Sequence, residues 1–193
     1  MSDSVKSCDS EQLQVATFYS FTSFAEETIL SLKTELEIIA KANRVKGSIL
    51  IALEGVNGTI CGNHQGVYLV LDMLKMFLGD NELELKNSWT GKQAFRRFKA
   101  RRKKEIVTLG VKGIDPTHNV GNYVEPSEWN SLLTDPNTLV IDTRNDYEVS
   151  IGTFKGALNP QTETFREFPQ WVEKCLRPLV EEQAPSQIAM FCT

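Results

Sequence analysis

The fold of the first half of the chain is decided by the stretch Gly47-Ser-Ile-Leu-Ile-Ala-Leu-Glu54-Gly-Val-Asn-Gly58-Thr-Ile-Cys61. Its first eight residues are rich in aliphatic and β-branched side chains, which predicts a strand over residues 47–54. Gly55-Val-Asn-Gly58 is a turn signal, and residues 59–61 after it predict a further short strand. Two strands around a short turn are the pattern of a β-hairpin.

The segments on either side of this hairpin complete an alternating pattern. Apolar residues at helical spacing predict one amphipathic helix before the hairpin and one after it. Thr22 or Ser23 is the expected cap of the first helix. The predicted segments are strands over 14–21 and 81–89 and helices over 24–43 and 64–78. The resulting order β-α-β-β-α-β is that of a ferredoxin-like domain, an α+β fold, and we place it at residues 14–104.

The second half of the chain has a different pattern. Residues 105–121 contain several glycines and a proline and predict a linker. After it, helices and strands alternate, which indicates an α/β domain over residues 122–193. The continuous apolar strand 138–142 is typical of a parallel sheet that is buried on both faces. The other predicted elements are a short helix from Pro126, a helix over 165–180 that is interrupted or ended near Pro178, and a strand over 187–192.

The composition of the 193 residues excludes several classes of protein. Residues 1–13 form a polar tail without the apolar core of a signal peptide, and no apolar run is long enough for a membrane helix. We therefore expect a cytoplasmic protein with reduced cysteines. The histidines are too few and too far apart, and the cysteines too widely spaced, for a metal site. These residues are Cys8, Cys61, Cys175, Cys192, His64 and His118.

Residues 86–104 form a strongly basic segment on a chain whose net charge is −4. The segment holds nine Lys and Arg residues and no Asp or Glu, and Trp89, Phe95 and Phe98 are interspersed among them. Such a segment can bind nucleic-acid phosphates while its aromatic rings stack on bases. It can also be a solvated charged face with Phe95 and Phe98 buried beneath it. Charge alone leaves both interpretations open.

Two strand ends carry the residues that could perform chemistry. Cys192 ends the last predicted strand, and Asp142 and Arg144 follow the strand 138–142, so all three belong at one carboxyl-end rim of the sheet. A thiolate needs positive surroundings, which makes Cys192 a candidate nucleophile. The alternatives are a buried core cysteine, an Asp142 that caps the next turn, and an Arg144 that pairs with Glu148 or Asp146.

The motifs around these residues resemble known families. Asp142-Thr-Arg144, Glu148, Gly152-x-x-x-Gly156-Ala-x-Asn159-Pro160 and an apolar strand ending in cysteine resemble a rhodanese domain. Several further motifs, in fixed order, resemble the rhodanese-related tRNA uridine hydroxylases of the TrhO (YceA) type. They are Glu54-Gly-Val-Asn-Gly-Thr-Ile60, Arg97-Phe-Lys, Lys104-Glu-Ile-Val-Thr-Leu-Gly110, Asn119-Val-Gly-Asn-Tyr-Val-Glu-Pro-Ser-Glu-Trp129, Thr143-Arg-Asn-Asp-Tyr-Glu148 and Ile151-Gly-Thr-Phe-Lys-Gly-Ala157.

The resemblance implies both a fold and a function. That family joins a ferredoxin-like (acylphosphatase-like) domain to a rhodanese domain and is associated with oxygen-dependent hydroxylation of the tRNA wobble uridine to 5-hydroxyuridine. It implies Cys192 as the catalytic residue, shaped by Asp142 and Arg144, with molecular oxygen as co-substrate and no evident cofactor. The anticodon region of tRNA would be the partner. The expected tRNA-binding residues are Arg96, Arg97, Lys99, Arg101, Arg102, Lys103 and Lys104.

Two other functions fit the same residues. Cys192 could carry a persulfide in a rhodanese-type sulfurtransferase, or the chain could be a non-enzymatic RNA-binding module. The family's active-site loop continues beyond Cys192-Thr193, where this sequence stops. We therefore expect the sequence to be a piece of a longer protein that is inactive in this form, because the loop amides that would hold the thiolate are not part of it.

Overall fold

The computed structural model describes residues 12–111, 113–114 and 121–192. Most of the predicted tail, residues 112 and 115–120 of the predicted linker, and Thr193 lie outside this part of the chain. The described residues divide into two compact units, one ending at Val107 and the other beginning at Thr108. None of the helices in the described ranges is both long and apolar enough to cross a bilayer.

The first unit is a five-stranded sheet with two helices. The elements, in chain order, are β1 Leu13–Phe21, α1 Glu26–Ala42, β2 Lys46–Ala52, β3 Gly55–Gly62, α2 His64–Leu78, β4 Glu84–Thr90 and β5 Phe98–Arg102. The strands lie in the order β4-β1-β3-β2-β5. β1 pairs antiparallel with β3 and β4, and β2 pairs antiparallel with β3 and parallel with β5. The predicted order of a ferredoxin-like domain is confirmed.

The core of this unit lies between the two helices and one face of the sheet. Alternate residues of each central strand are fully buried, such as Ala16 and Phe18 in β1, because side chains of a strand point to opposite faces in turn. The helices contribute Leu32 and Leu36 from α1 and Leu74 from α2, at the three- to four-residue spacing of a helical face. Burial of this face is what stabilises the unit.

The turn of the central hairpin lies three residues earlier than the sequence predicts. β3 begins at Gly55, which pairs with Phe21, so the turn is formed by Leu53 and Glu54. Gly55 has a φ of 141°, and a Cβ there would lie 2.0 Å from the Ser20 carbonyl oxygen. Glycine is therefore required inside the strand for close packing of two backbones, and not for a turn.

The predicted cap of α1 is wrong. The helix begins at Glu26, with Ala25 in the cap position and no side-chain cap. The amides of Thr22 and Phe24 instead donate to the carbonyl oxygens of Glu54 and Leu53, at 3.0 and 2.9 Å. Backbone hydrogen bonds of Thr22 and Phe24 thus connect the segment after β1 to the hairpin turn. By contrast, α2 has the predicted bounds, and the Asn63 side chain caps it by accepting from the Gly66 amide.

The basic segment contains a strand that the sequence analysis did not predict. β5 alternates between Phe98 and Ala100, which face the core side, and charged residues between them. Its hydrogen bonds to β2 continue past the strand, because the Lys103 amide donates to the Ile51 carbonyl oxygen. The fourth predicted strand is shorter than expected and begins at Glu84 rather than at residue 81.

The second unit contains a parallel pair of strands and short helices. Its elements are α3 Trp129–Thr134, β6 Thr138–Asp142, α4 Asp146–Val149, a 3₁₀ turn Phe165–Glu167, α5 Phe168–Trp171, a π turn Val172–Leu176, α6 Arg177–Gln183 and β7 Gln187–Phe191. β6 has its predicted bounds and pairs parallel with β7. A small core forms around Ile141, Phe168 and Leu176. The pattern of alternating helix and strand is confirmed, and the rhodanese-like assignment stays a prediction.

The α-helical hydrogen-bonding pattern is interrupted near Pro178, as the sequence predicts, but the helical segment does not end there. Pro178 lies in the first turn of α6, directly after the π turn. A proline in a helix removes one backbone donor and crowds the carbonyl four residues before it. A local π turn accommodates both changes without ending the helix. The segment therefore reaches Gln183.

Candidate active site and basic surface

Asp142, the last residue of β6, is fully buried and fully hydrogen-bonded. Its carboxylate accepts from the Arg144 amide at 3.1 Å, from the Arg144 guanidinium at 2.9 and 2.6 Å, and from the Thr153 hydroxyl at 2.7 Å. Burial alone would raise the pKa of Asp142, but these hydrogen bonds and the positive charge of Arg144 hold that pKa below its ordinary value. Asp142 is therefore a permanently ionised residue at neutral pH.

Arg144 pairs with Asp142, and not with Glu148 or Asp146 as one interpretation of the sequence had it. Its guanidinium also donates to the Gly152 carbonyl oxygen at 2.7 Å, which ties the loop after α4 to the end of β6. The hydrogen bond to Asp142 raises the pKa of Arg144, and the negative charges of Asp142, Glu148 and Cys192 add to this effect. Arg144 is thus a fixed cation within electrostatic reach of the Cys192 sulfur.

Cys192 lies one residue beyond β7, and its side chain is exposed. Within the described residues, no side chains bury the Cys192 thiol. The peptide before Cys192 is held firmly: the Thr143 amide and hydroxyl both donate to the Phe191 carbonyl oxygen, at 3.0 and 2.9 Å. Asp142 and Phe191 are direct neighbours across the parallel strand pair. The structure thus brings Asp142, Arg144 and Cys192 to one rim, as expected for parallel strands.

An aromatic cluster borders this rim, and the sequence analysis missed it. The rings of Trp129 and Phe154 stack with centroids 5.9 Å apart, and the Phe191 ring meets Phe154 edge-on at 4.8 Å. The Arg144 guanidinium carbon lies 5.6 Å from the centre of the Phe191 ring, within cation–π range. Thr143 and Thr153 were missed as well. Thr143 directly follows β6, which is a weak signal, whereas Thr153 lies in the loop after α4 and has no such signal.

The basic segment does not form one continuous patch, because β4 and β5 lie at opposite edges of the sheet. Lys86 lies on β4, whereas Lys99, Arg101 and Arg102 lie on β5. Arg102 forms an ion pair with Glu26 of α1. Partial burial and the charges of Arg101 and Arg97 lower the pKa of Lys99, so these three cations are close enough to repel one another. No carboxylate of the described residues pairs with Lys99.

The aromatic residues of the basic segment have separate roles. Phe98 is half-buried and packs against the main core, as the solvated-face interpretation expects. Trp89 is 54% exposed, with its ring 6.0 Å from the His64 ring. Trp89 is therefore the ring in this segment that is best placed to meet a ligand.

No group of three or more His, Cys, Asp or Glu residues within the described ranges is arranged to hold a metal ion. Among the other cysteines in those ranges, Cys61 is buried and Cys175 is exposed.

Comparison with known proteins gives these observations a context. Residues 13–106 match the family described as UPF0176 acylphosphatase like domain. A tRNA uridine(34) hydroxylase of Prochlorococcus marinus (strain MIT 9313) is 57% identical over 180 residues, which are 93% of this chain and 58% of the relative. A protein of the same name from Synechococcus sp. (strain CC9902) is 54% identical over 187 residues, which are 94% of this chain and 61% of the relative.

The chain is a homologue of these proteins. Its first unit is an acylphosphatase-like domain, in agreement with the family match and with the observed sheet. The chain spans about three fifths of the length of the curated relatives that it matches. Among solved structures, an acylphosphatase from Coxiella burnetii has a TM-score of 0.35 and 9% identity, over 47% of this chain and 94% of that chain.

Proposed function

We propose that the full-length gene product hydroxylates the wobble uridine of tRNA to 5-hydroxyuridine. The observation that carries this proposal is the identity of 54–57% to proteins named tRNA uridine(34) hydroxylase over nearly the whole chain. The arrangement of the second unit supports it, because an exposed thiol lies at a strand end beside a fixed cation. Since tRNA is made and modified there, the protein would act in the cytoplasm.

Cys192 is the proposed catalytic residue, and Asp142 and Arg144 are positioning residues. The Cys192 thiolate would add to C6 of the uracil ring, which moves the electron pair of the C5–C6 double bond to C5 and makes C5 nucleophilic. After C5 has gained oxygen, loss of the C5 proton would restore the double bond and expel the thiolate. Arg144 places a positive charge within electrostatic reach of the Cys192 sulfur, and Asp142 holds Arg144 in place.

The overall reaction takes molecular oxygen as co-substrate. One oxygen atom enters the C5–H bond and the other leaves as water, which requires two electrons and two protons from an external reductant. The described residues contribute the nucleophile and its surroundings to this reaction.

The anticodon region of tRNA is the proposed partner of the basic residues. The repelling group Arg97, Lys99 and Arg101 is the centre of this surface, since an anion would relieve the repulsion that lowers the pKa of Lys99. Arg102 contributes less, because Glu26 already neutralises it. The other members of the proposed surface are Arg96, Lys103 and Lys104.

The test is made in a bacterial strain that lacks its own tRNA uridine hydroxylase. We expect the full-length gene to restore 5-hydroxyuridine at position 34, measured by mass spectrometry of tRNA digests, with ¹⁸O incorporated when the cells are grown under ¹⁸O₂. Unmodified tRNA together with a stable persulfide on Cys192 would contradict the proposal and favour the sulfurtransferase alternative.

A further inference from the structure

One face of the sheet in the first unit carries no helix. In β1, Ala16 and Phe18 belong to the core between sheet and helices, so the alternate residue between them, Thr17, lies on the opposite, open face. The pairing register carries this face across all five strands. Thr17 lies opposite Lys86 of β4 and Thr59 of β3, and Ser48 of β2 lies opposite Thr59 and Lys99 of β5.

These five residues form a single row that we call the hydroxyl row. It runs Lys86, Thr17, Thr59, Ser48, Lys99, with a cation at each edge of the sheet and three hydroxyls between them. Neighbouring strands lie ~4.8 Å apart, so four intervals give the row a length of about 19 Å.

The hydroxyls of the row keep hydrogen-bonding capacity for a ligand. The Thr17 and Thr59 hydroxyls lie 3.1 Å apart, where one donates to the other, so each retains at least one free lone pair or proton. The Ser48 hydroxyl has no hydrogen-bond partner among the described residues. Thr17 and Lys86 are exposed, and Thr59, Ser48 and Lys99 are half-buried. The row is therefore accessible along its length.

Segments of the chain contact this face on either side of the hydroxyl row. On one side the side-chain amide of Asn57 donates to the Ile106 carbonyl oxygen at 3.2 Å. On the other side the side-chain amide of Gln93 donates to the Cys61 carbonyl oxygen at 3.3 Å. The row lies between these two contacts.

The charges of the open face select the kind of ligand. Besides the two lysines of the row, the adjacent rows place Lys46 and Arg101 on this face, whereas Glu84 is the acidic strand residue on it. Tyr19 and Phe21 of β1 also belong to this face and contact each other edge-on, with ring centroids 6.2 Å apart. Cations, hydroxyls and aromatic rings on a flat sheet suit phosphates, 2′-hydroxyls and unstacked bases.

We propose that the open sheet face binds a single-stranded segment of RNA that runs along the hydroxyl row, with Lys86 and Lys99 at the two ends of the row contacting its phosphates. The proposal rests on the proposed function for the choice of RNA as the polymer. It goes beyond that function by placing the contact on a face that the basic segment touches only at its two edges.

The test measures binding of the 193-residue chain to a fluorescent single-stranded RNA of twelve nucleotides, by anisotropy at several salt concentrations. Replacing both Thr17 and Thr59 with valine removes two hydroxyls at nearly constant shape. We expect affinity to fall about five- to tenfold with an unchanged salt dependence. Lys86→Gln should weaken binding and lower the slope of log K against log salt by about 0.7, the value for one phosphate contact to a single strand. Thr34→Val on α1 and Lys75→Gln on α2 are the matched controls, and neither should change affinity.

Two binding results would overturn the inference. One is a Thr17→Val/Thr59→Val variant that binds like the unmodified chain while Arg101→Gln weakens binding, which would confine RNA to the β5 edge. The other is preference for the duplex of the same sequence. Crosslinking of RNA that contains 4-thiouridine to the unmodified chain needs no variant: crosslinks in β1 to β3 support the inference, and crosslinks confined to the helices contradict it. Restored tRNA hydroxylation in cells would stand in either case, so failure here is distinct from failure of the proposed function.

Discussion

Thr143 holds the backbone of Phe191 through two donors, since its amide and its hydroxyl both donate to the same carbonyl oxygen, at 3.0 and 2.9 Å. That carbonyl belongs to the peptide bond that precedes Cys192. The end of β6 therefore holds the backbone directly before Cys192, and Thr143 is a positioning residue for the proposed nucleophile.

Thr143→Val should loosen this connection without changing side-chain shape. We expect a loss of about 1 kcal/mol in the unfolding free energy of the second unit, which is the usual net value of one hydrogen bond. In the full-length gene product, kcat for hydroxylation should fall while KM for tRNA stays the same. Thr143→Ser keeps the donor and should retain both values. Equal losses for valine and serine would show that the hydroxyl is not what matters.

Asp142→Asn should destabilise the second unit by roughly 2–4 kcal/mol, because the variant leaves the Arg144 guanidinium without its buried counter-charge. Urea denaturation followed by Trp fluorescence measures this. Glu173→Gln is the control, since it removes an exposed ion pair with Arg177 and should cost less than about 0.5 kcal/mol. Similar small effects for both variants would contradict the importance of the buried pair.

The same carboxylate predicts how stability depends on pH. The pKa of Asp142 is lower in the folded chain than its ordinary value of 3.8, so the folded state binds this proton less readily than the unfolded state. The stabilisation is therefore complete well above pH 3.8 and is lost as the pH falls below 3.8 toward the lower, folded-state pKa. A stability profile between pH 2 and 6 should show this loss, and Asp142→Asn should abolish that part of the profile.

Arg144→Lys should loosen the loop after α4, which Arg144 holds at the Gly152 carbonyl oxygen. Lysine keeps the charge but cannot bond both Asp142 oxygens and the Gly152 carbonyl oxygen at once. We expect faster amide hydrogen exchange at residues 152–155 and unchanged exchange in α2, which lies in the other unit. An exchange pattern identical to that of the unmodified chain would mean that the loop is held by other contacts.

The basic residues should differ in their contribution to tRNA binding. Arg101→Gln should weaken binding and reduce the salt slope by about 0.9, because Arg101 belongs to the repelling group around Lys99. Arg102→Gln should have a smaller effect, because the charge of Arg102 is already paired with Glu26. Filter binding at three salt concentrations would separate the two. A larger effect at Arg102 than at Arg101 would contradict this assignment.

The sequence predicts the bounds of a helix or strand well where one apolar period runs through the whole element. The bounds of α2 and β6 agree with prediction because each has an uninterrupted apolar period and clear end signals. β5 was missed because its alternating Phe98 and Ala100 are hidden among charged residues that suggest a surface loop. Pairing with β2 makes this segment a strand, and that pairing is a long-range contact that local patterns do not report.

The candidate site shows the same limit. Strand ends predict that Asp142, Arg144 and Cys192 lie at one rim, because parallel strands share their carboxyl ends. The partner of Arg144 could not be predicted, since Asp142, Asp146 and Glu148 are all within reach in sequence. Arg144 pairs with Asp142 because this carboxylate is fully buried and therefore requires a counter-charge, whereas exposed carboxylates are solvated by water.

Cys192→Ser in the full-length gene product, expressed in a strain without its own tRNA uridine hydroxylase, tests the central claim most directly. The readout is 5-hydroxyuridine at position 34 of tRNA, and Cys175→Ser is the matched control because that cysteine is also exposed. We predict that Cys175→Ser restores the modified nucleoside fully and that Cys192→Ser does not restore it. Full restoration by Cys192→Ser would contradict the account.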